Sequence, residues 1–176
     1  SSYNINNNYI ANNLGLGAGI IDTNGNAVIR YNRIHNNYKS SAWAIGNTAC
    51  KDSTSAICIG GGDSTWEYNT VTGGTGESLI FKKGGGTQAS VKNNNFVIKN
   101  ETYLMSLKYS SGSTFDITNN WWGTTDTTEL DALFYDWNDD SALGVLNYSP
   151  VLSTPDTTAP PSPPSGVAAQ TGPTSI

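Results

Sequence analysis

Charge is scarce in this chain. Of 176 residues 13% are charged, with Lys+Arg 9 against Asp+Glu 14 and a net charge of -5. That balance excludes the basic face a nucleic-acid binder needs. No apolar run reaches the roughly 18 residues of a membrane-spanning helix, so no membrane insertion is expected. Leu, Ala, Glu and Lys are too few for a helical bundle. Histidine occurs once, at His35, and cysteine twice, at Cys50 and Cys58. No metal-ligand spacing arises from these, so no metal and no cofactor are expected. Proline is missing until Pro150, and all seven lie at or beyond it. In abundance are 21 Asn, 20 Thr, 19 Ser and 19 Gly, with aromatic and branched residues recurring among them. Such a mixture reads as an all-β chain with tight turns, not as disorder.

One segment recurs: apolar, two residues, Asn, one residue, apolar. It runs Ile5 to Ile10, Ile29 to Ile34, Trp66 to Val71, Val91 to Phe96 and Ile117 to Trp122. The shared asparagines are Asn8, Asn32, Asn69, Asn94 and Asn120, at intervals of 24, 37, 25 and 26. The long interval holds Cys50 and Cys58, as a lateral insertion in one repeat should. Short β-prone runs such as 19–21, 56–59, 78–81 and 104–107 precede most of these segments. Gly- or Ser-rich bends separate the two.

Strands of three to five residues cannot hold themselves in a sheet alone. Stacking equivalent strands from successive repeats pairs each backbone group with its neighbours, about 4.8 Å away. The expected fold is therefore an all-β solenoid of about five coils. Ile5, Ile29, Trp66, Val91 and Ile117 form one apolar column, and Ile10, Ile34, Val71, Phe96 and Trp122 a second. Asn tolerates the left-handed conformation of a sharp corner. The five asparagines are thus expected to occupy the corners themselves and to form an internal amide ladder.

The repeat length, the Asn corner and the Gly-rich bends resemble right-handed parallel β-helix proteins of the pectate-lyase-like group. Residues 117–124, 126–133 and 144–150 are similar to the C-terminal end of many secreted microbial domains of that kind. The resemblance covers roughly residues 1–152. It implies a right-handed parallel β-helix, and it leaves function open, because such folds host lyases, hydrolases, epimerases, adhesins and fibre proteins.

A capping box at Asp126 and Glu129 predicts a short C-terminal capping helix. Leu130, Leu133, Phe134 and Trp137 give it one apolar face, and a closing strand follows Gly144. No such cap is legible before Tyr3. Domain 1–152 is then followed by a Pro/Ser/Thr-rich linker, 153–166, expected to be extended. Residues 167–176 resemble the first strand of a fibronectin type III domain and are expected to pack on a neighbouring molecule. Cys50 and Cys58 close a short loop; a disulfide outside the cell and a pair of buried thiols are the two readings.

Chemistry is thinly written. With Phe81 and Leu107 inward, Lys82 and Lys108 should point outward at equivalent positions, where they could bind uronate carboxylates or serve as a base in β-elimination. Solvated surface charge is the plainer reading of both. Tyr31 and Tyr68 share the position before the repeated Asn, and Trp43 sits in the insertion. These three are the candidate sugar platforms, since aromatic faces stack on sugar rings. The expected role is a non-catalytic structural or carbohydrate-associated module of a secreted or cell-surface protein. A polysaccharide lyase or hydrolase fragment is one alternative, and a self-assembling fibre subunit another. The expected partners are a polysaccharide and further copies of the chain.

Overall fold

The structure is a computed structural model, and it describes residues 3–15, 21–23, 26–39, 55, 57–60, 63–83, 89–98, 101–108 and 112–161. Along these run β1 (Tyr3–Asn6), β2 (Tyr9–Ala11), β3 (Leu14–Gly15), β4 (Ile21–Thr23), β5 (Ala27–Arg30) and β6 (Arg33–Lys39). There follow β7 (Ile57–Ile59), β8 (Ser64–Glu67), β9 (Thr70–Thr75), β10 (Ser78–Lys83), β11 (Ser90–Lys92) and β12 (Asn95–Val97). Last come β13 (Tyr103–Lys108), β14 (Thr114–Asp116), α1 (Thr127–Leu133), β15 (Phe134–Tyr135) and β16 (Val145–Asn147).

These strands pair in parallel within four small sheets. Their orders are β1-β5-β8-β11, β15-β13-β10-β7-β4, β12-β9-β6-β2 (with β3 also on β6), and β14-β16. This corrects the expectation of a right-handed parallel β-helix of about five coils: among the described residues no continuous solenoid is formed. The reason lies in the pairing. β11 ends its sheet, and β14, one repeat further on, pairs with β16 instead. Ile117 therefore falls outside the strand ladder that joins Ile5, Ile29, Trp66 and Val91.

Within each sheet the register sets like on like. Ile29 meets Trp66 and Trp66 meets Val91, while Ile10, Ile34, Val71 and Phe96 follow one another in the neighbouring sheet. Ile29, Trp66, Val71 and Phe96 are at most 1% exposed. Phe96 then stacks on Trp122, with centroids 4.8 Å apart. Each such side chain contributes on the order of 1.5–3 kcal/mol by leaving water.

The bend between the first and third sheets is made by a residue that the sequence pattern does not mark. Asn7, Tyr31, Tyr68, Asn93 and Asn119 have φ of 59°, 55°, 54°, 58° and 58°. The left-handed residue is the one before each repeated Asn, not the repeated Asn itself. The turn so made aims the following carboxamide inward. The backbone N and Nδ2 of Asn8 both donate to Asn32 Oδ1 (3.0 and 3.1 Å). Asn32 does the same to Asn69, Asn69 to Asn94, and Asn94 to Asn120, all within 2.9–3.0 Å. Each Nδ2 also donates back to a main-chain oxygen of the preceding strand: Asn32 to Ile5, Asn69 to Ile29, Asn94 to Trp66 and Asn120 to Val91. Buried amides thus find partners for their donors and acceptors.

A second, shorter file lies five residues on. Asn13 donates from N and Nδ2 to Asn37 Oδ1, after left-handed Asn12 and Asn36. In the next strand Asn37 faces Gly74. A Cβ at Gly74 would lie 2.3 Å from the Asn37 carbonyl oxygen and 2.8 Å from Glu101 Oε1, so only glycine fits there.

One end of the stack is covered. Asp126 caps α1, accepting from the backbone N of Thr128 (2.8 Å) and Glu129 (3.2 Å), and Leu130 is fully buried. The helix stops at Leu133. Phe134 opens β15 rather than extending the helical face, and Trp137 is 53% exposed, outside it. Asn119 donates from its backbone to Pro150, and Leu152 to Asn120. Part of the Pro/Ser/Thr-rich stretch that follows lies against the body. Asp156 is clasped by Asn95, through Asn95 Nδ2 to Asp156 O (3.0 Å) and Asp156 N to Asn95 Oδ1 (2.7 Å). Thr70 Oγ1 donates to the Pro160 carbonyl, and Ala159 is buried. Residues 155–161 form a strap across β9 and β12. Residues 167–176, and the contact expected of them, lie outside the described residues.

Candidate functional site

Two of the five left-handed bends carry tyrosine where the others carry asparagine. A bulky residue held at positive φ costs on the order of 1–3 kcal/mol and persists only where its surroundings impose it. Tyr31 and Tyr68 stack with centroids 5.5 Å apart and planes within 6°. Their spacing follows from the parallel register, which sets Arg30 opposite Glu67 just before them. Those neighbours form an ion pair of 2.9 Å beside the rings.

Tyr68 covers one face of Tyr31. Tyr31, 38% exposed, also lines an open cleft of about 360 Å³ with Asn7, Asn8, Arg33, Thr158 and Pro160. The strap thus supplies one wall and the bend the other. The Arg33 guanidinium lies 5.9 Å from the Tyr9 ring centroid, and Tyr9 is 60% exposed. Arg33 Nε is buried and makes no hydrogen bond. The cleft therefore combines an aromatic plane, two carboxamides, a hydroxyl and a cation.

The paired lysines do not come together as expected. β10 and β13 are offset by 25 residues, so Lys82 stands opposite Leu107, and Lys83 stands opposite Lys108. The expectation had used an interval of 26. Leu107 is buried, and Lys108 lies with Glu77, Ser106, Tyr135 and Asp140 around a smaller cleft of about 260 Å³. The Tyr148 hydroxyl is pushed up to about 12, first by burial and then by the hydrogen bond it donates to Asp131 (2.5 Å). It stays protonated at neutral pH and serves as a structural donor.

Trp43 and Cys50 lie outside the described residues; Cys58 is buried and disulfide-bonded. His35 Nδ1 lies 2.8 Å from Thr72 Oγ1, held between strands. Among the described residues no group of three His, Cys, Asp or Glu side chains could hold a metal ion. No helix among them is long and apolar enough to cross a membrane.

Sequence reasoning missed Arg33, Thr158 and Pro160. Arg33 follows a repeated Asn by one residue, and that position carries no shared residue type in the five repeats. The strap residues were masked by a composition that reads as linker.

Comparison with family models, with curated proteins and with solved structures finds no match to this chain.

Proposed function

We propose that the chain is a non-catalytic carbohydrate-binding module of a secreted or cell-surface protein, with the Tyr31 cleft as its contact surface. The observation that carries this reading is the coplanar Tyr31–Tyr68 pair, held at two strained bends where asparagine serves elsewhere. Strain kept at an exposed position is a signature of a functional site. A pyranose ring laid on Tyr31 would place hydroxyls within reach of Asn7 and Asn8. Arg33 would favour a sugar bearing a carboxylate or another acceptor. A polysaccharide lyase or hydrolase is less well supported, because the two lysines on which it rested are out of register.

The test is affinity electrophoresis and calorimetry against neutral and uronate polysaccharides. Native protein should be retarded by at least one of them, more by an acidic one. Tyr31→Ala should lose about 1–3 kcal/mol of binding, the range of one aromatic stacking contact with its burial. Equal retardation of native protein and Tyr31→Ala would dismiss the proposal.

A further inference from the structure

The position after each repeated Asn forms one row across the strands. Parallel register sets Tyr9 beside Arg33, Arg33 beside Thr70, Thr70 beside Asn95 and Asn95 beside Trp121. Arg33 lines the Tyr31 cleft, whereas Thr70 and Asn95, 1% and 6% exposed, hold the strap. The row therefore sets cleft and clasp side by side, one strand spacing of about 4.8 Å apart.

Asn95 reads the strap's main chain in both directions. Its Nδ2 donates to Asp156 O (3.0 Å), and its Oδ1 accepts from Asp156 N (2.7 Å). A carboxylate at this position would lack the donor and would set a negative charge against the Asp156 carbonyl. Asn95 Nδ2 also lies 3.4 Å from Thr70 Oγ1, which in turn donates to Pro160 O. Between these two holds the strap is folded on itself, since Asp156 Oδ1 accepts from Thr158 N (2.7 Å). Ala159 is buried. Fixing Asp156 and Pro160 in this way fixes Thr158 and Pro160 as a wall of the Tyr31 cleft. The strap does not fill the space beneath it: a second cleft of about 520 Å³ lies between Trp121 and Val97 on the body and Pro155, Thr157 and Pro161 on the strap.

We infer that Asn95 is a positioning residue for the Tyr31 cleft: by clasping Asp156 it holds the strap closed, and closure of the strap sets the affinity for a sugar bound there. The inference rests on the sugar reading above. Asn95 itself does not line that cleft, so it acts through the strap. Clasp and ligand are then linked. A sugar held between Tyr31 and the strap wall favours the clasped strap, and the clasped strap favours the sugar by the same factor. A chain whose strap is closed only part of the time binds more weakly in proportion to the closed fraction.

The experiment reads that linkage from both sides. The probe is an oligosaccharide cut from whichever polysaccharide most retards the native chain in affinity electrophoresis. In the native chain a saturating amount of it should slow hydrogen exchange of the Asp156 amide at least about fivefold, although Asp156 lies outside the cleft. Asn95→Ala should bind the probe about tenfold more weakly, since the strap forfeits both bonds of the clasp. Leu130→Ala, destabilised at the covered end, should bind it as the native chain does. If Asn95→Ala does not fold, exchange in the native chain decides. Three results would overturn the inference: Asp156 exchange that the probe leaves unchanged, native affinity in Asn95→Ala, or equal loss of affinity in Asn95→Ala and Leu130→Ala. Retardation of the native chain by no polysaccharide would instead remove the sugar reading itself, before any variant is made.

Discussion

The two ends of the strand stack are built from the same repeat and finished differently. At the covered end Asn120 is fully buried, and its Nδ2 reaches Val91 O and Ile117 O, both at 2.7 Å. Pro150 and Leu152 satisfy the backbone there, and Leu130 and Phe134 lie over the apolar core. At the open end Asn8 is exposed, and Ile5 and Ile10 keep part of their surface in water. The same carboxamide is therefore a buried, fully paired element at one end and an exposed one at the other. Its worth depends on position, because an unpaired polar group costs little in water and much in the interior.

Replacing the middle asparagine should break that contrast most severely. Asn69→Ala strands the backbone N–H and one Nδ2 proton of buried Asn32, and removes the donor to the carbonyl of Ile29. It should destabilise the chain by about 4 kcal/mol in urea unfolding, whereas Asn8→Ala should cost about 1 kcal/mol or less. Equal losses would mean that burial does not set the value of the ladder. Leu130→Ala should cost about 3 kcal/mol by opening a cavity under the cap. Its damage should appear first in the amides of β13 and β15, leaving β1 and β2 unchanged. The smallest effect belongs to the surface. A hydrogen bond from Lys92, 2.7 Å away, is the chief reason the Asp116 carboxyl lies below its usual value of 3.8. The pair's stabilisation is whole above that value and disappears as pH falls through the lowered one. Since the Asp116 side chain is 49% exposed, Lys92→Ala should cost less than about 1 kcal/mol and flatten the acid limb of stability against pH.

The repeat was legible because stacking imposes a period. Ile29 faces Trp66, and Ile34 faces Val71, across the 37-residue interval that holds the insertion. Less was legible where partners are chosen by geometry alone. Nothing in residues 114–116 says that they will pair with 145–147 rather than continue the sheet of β11, and that choice makes the fourth, two-stranded sheet. The left-handed bend was assigned one residue too late, because tyrosine at Tyr31 and Tyr68 hides a position that asparagine marks in the other repeats. The strap at 155–161 has the composition of a linker. The Asn95 clasp and the Thr70 contact, both distant in sequence, hold it to the body. For the candidate site, sequence supplied the tyrosines, and the structure added Arg33 and the strap wall.

Hydrogen exchange of the asparagine side-chain amides tests the central claim most directly, since it reads each carboxamide in the unaltered protein. The Nδ2 protons of Asn32, Asn69, Asn94 and Asn120 should be strongly protected, and those of Asn8 should exchange at nearly the rate of a free amide. Uniformly rapid exchange of all five would contradict a buried carboxamide file joining the parallel strands.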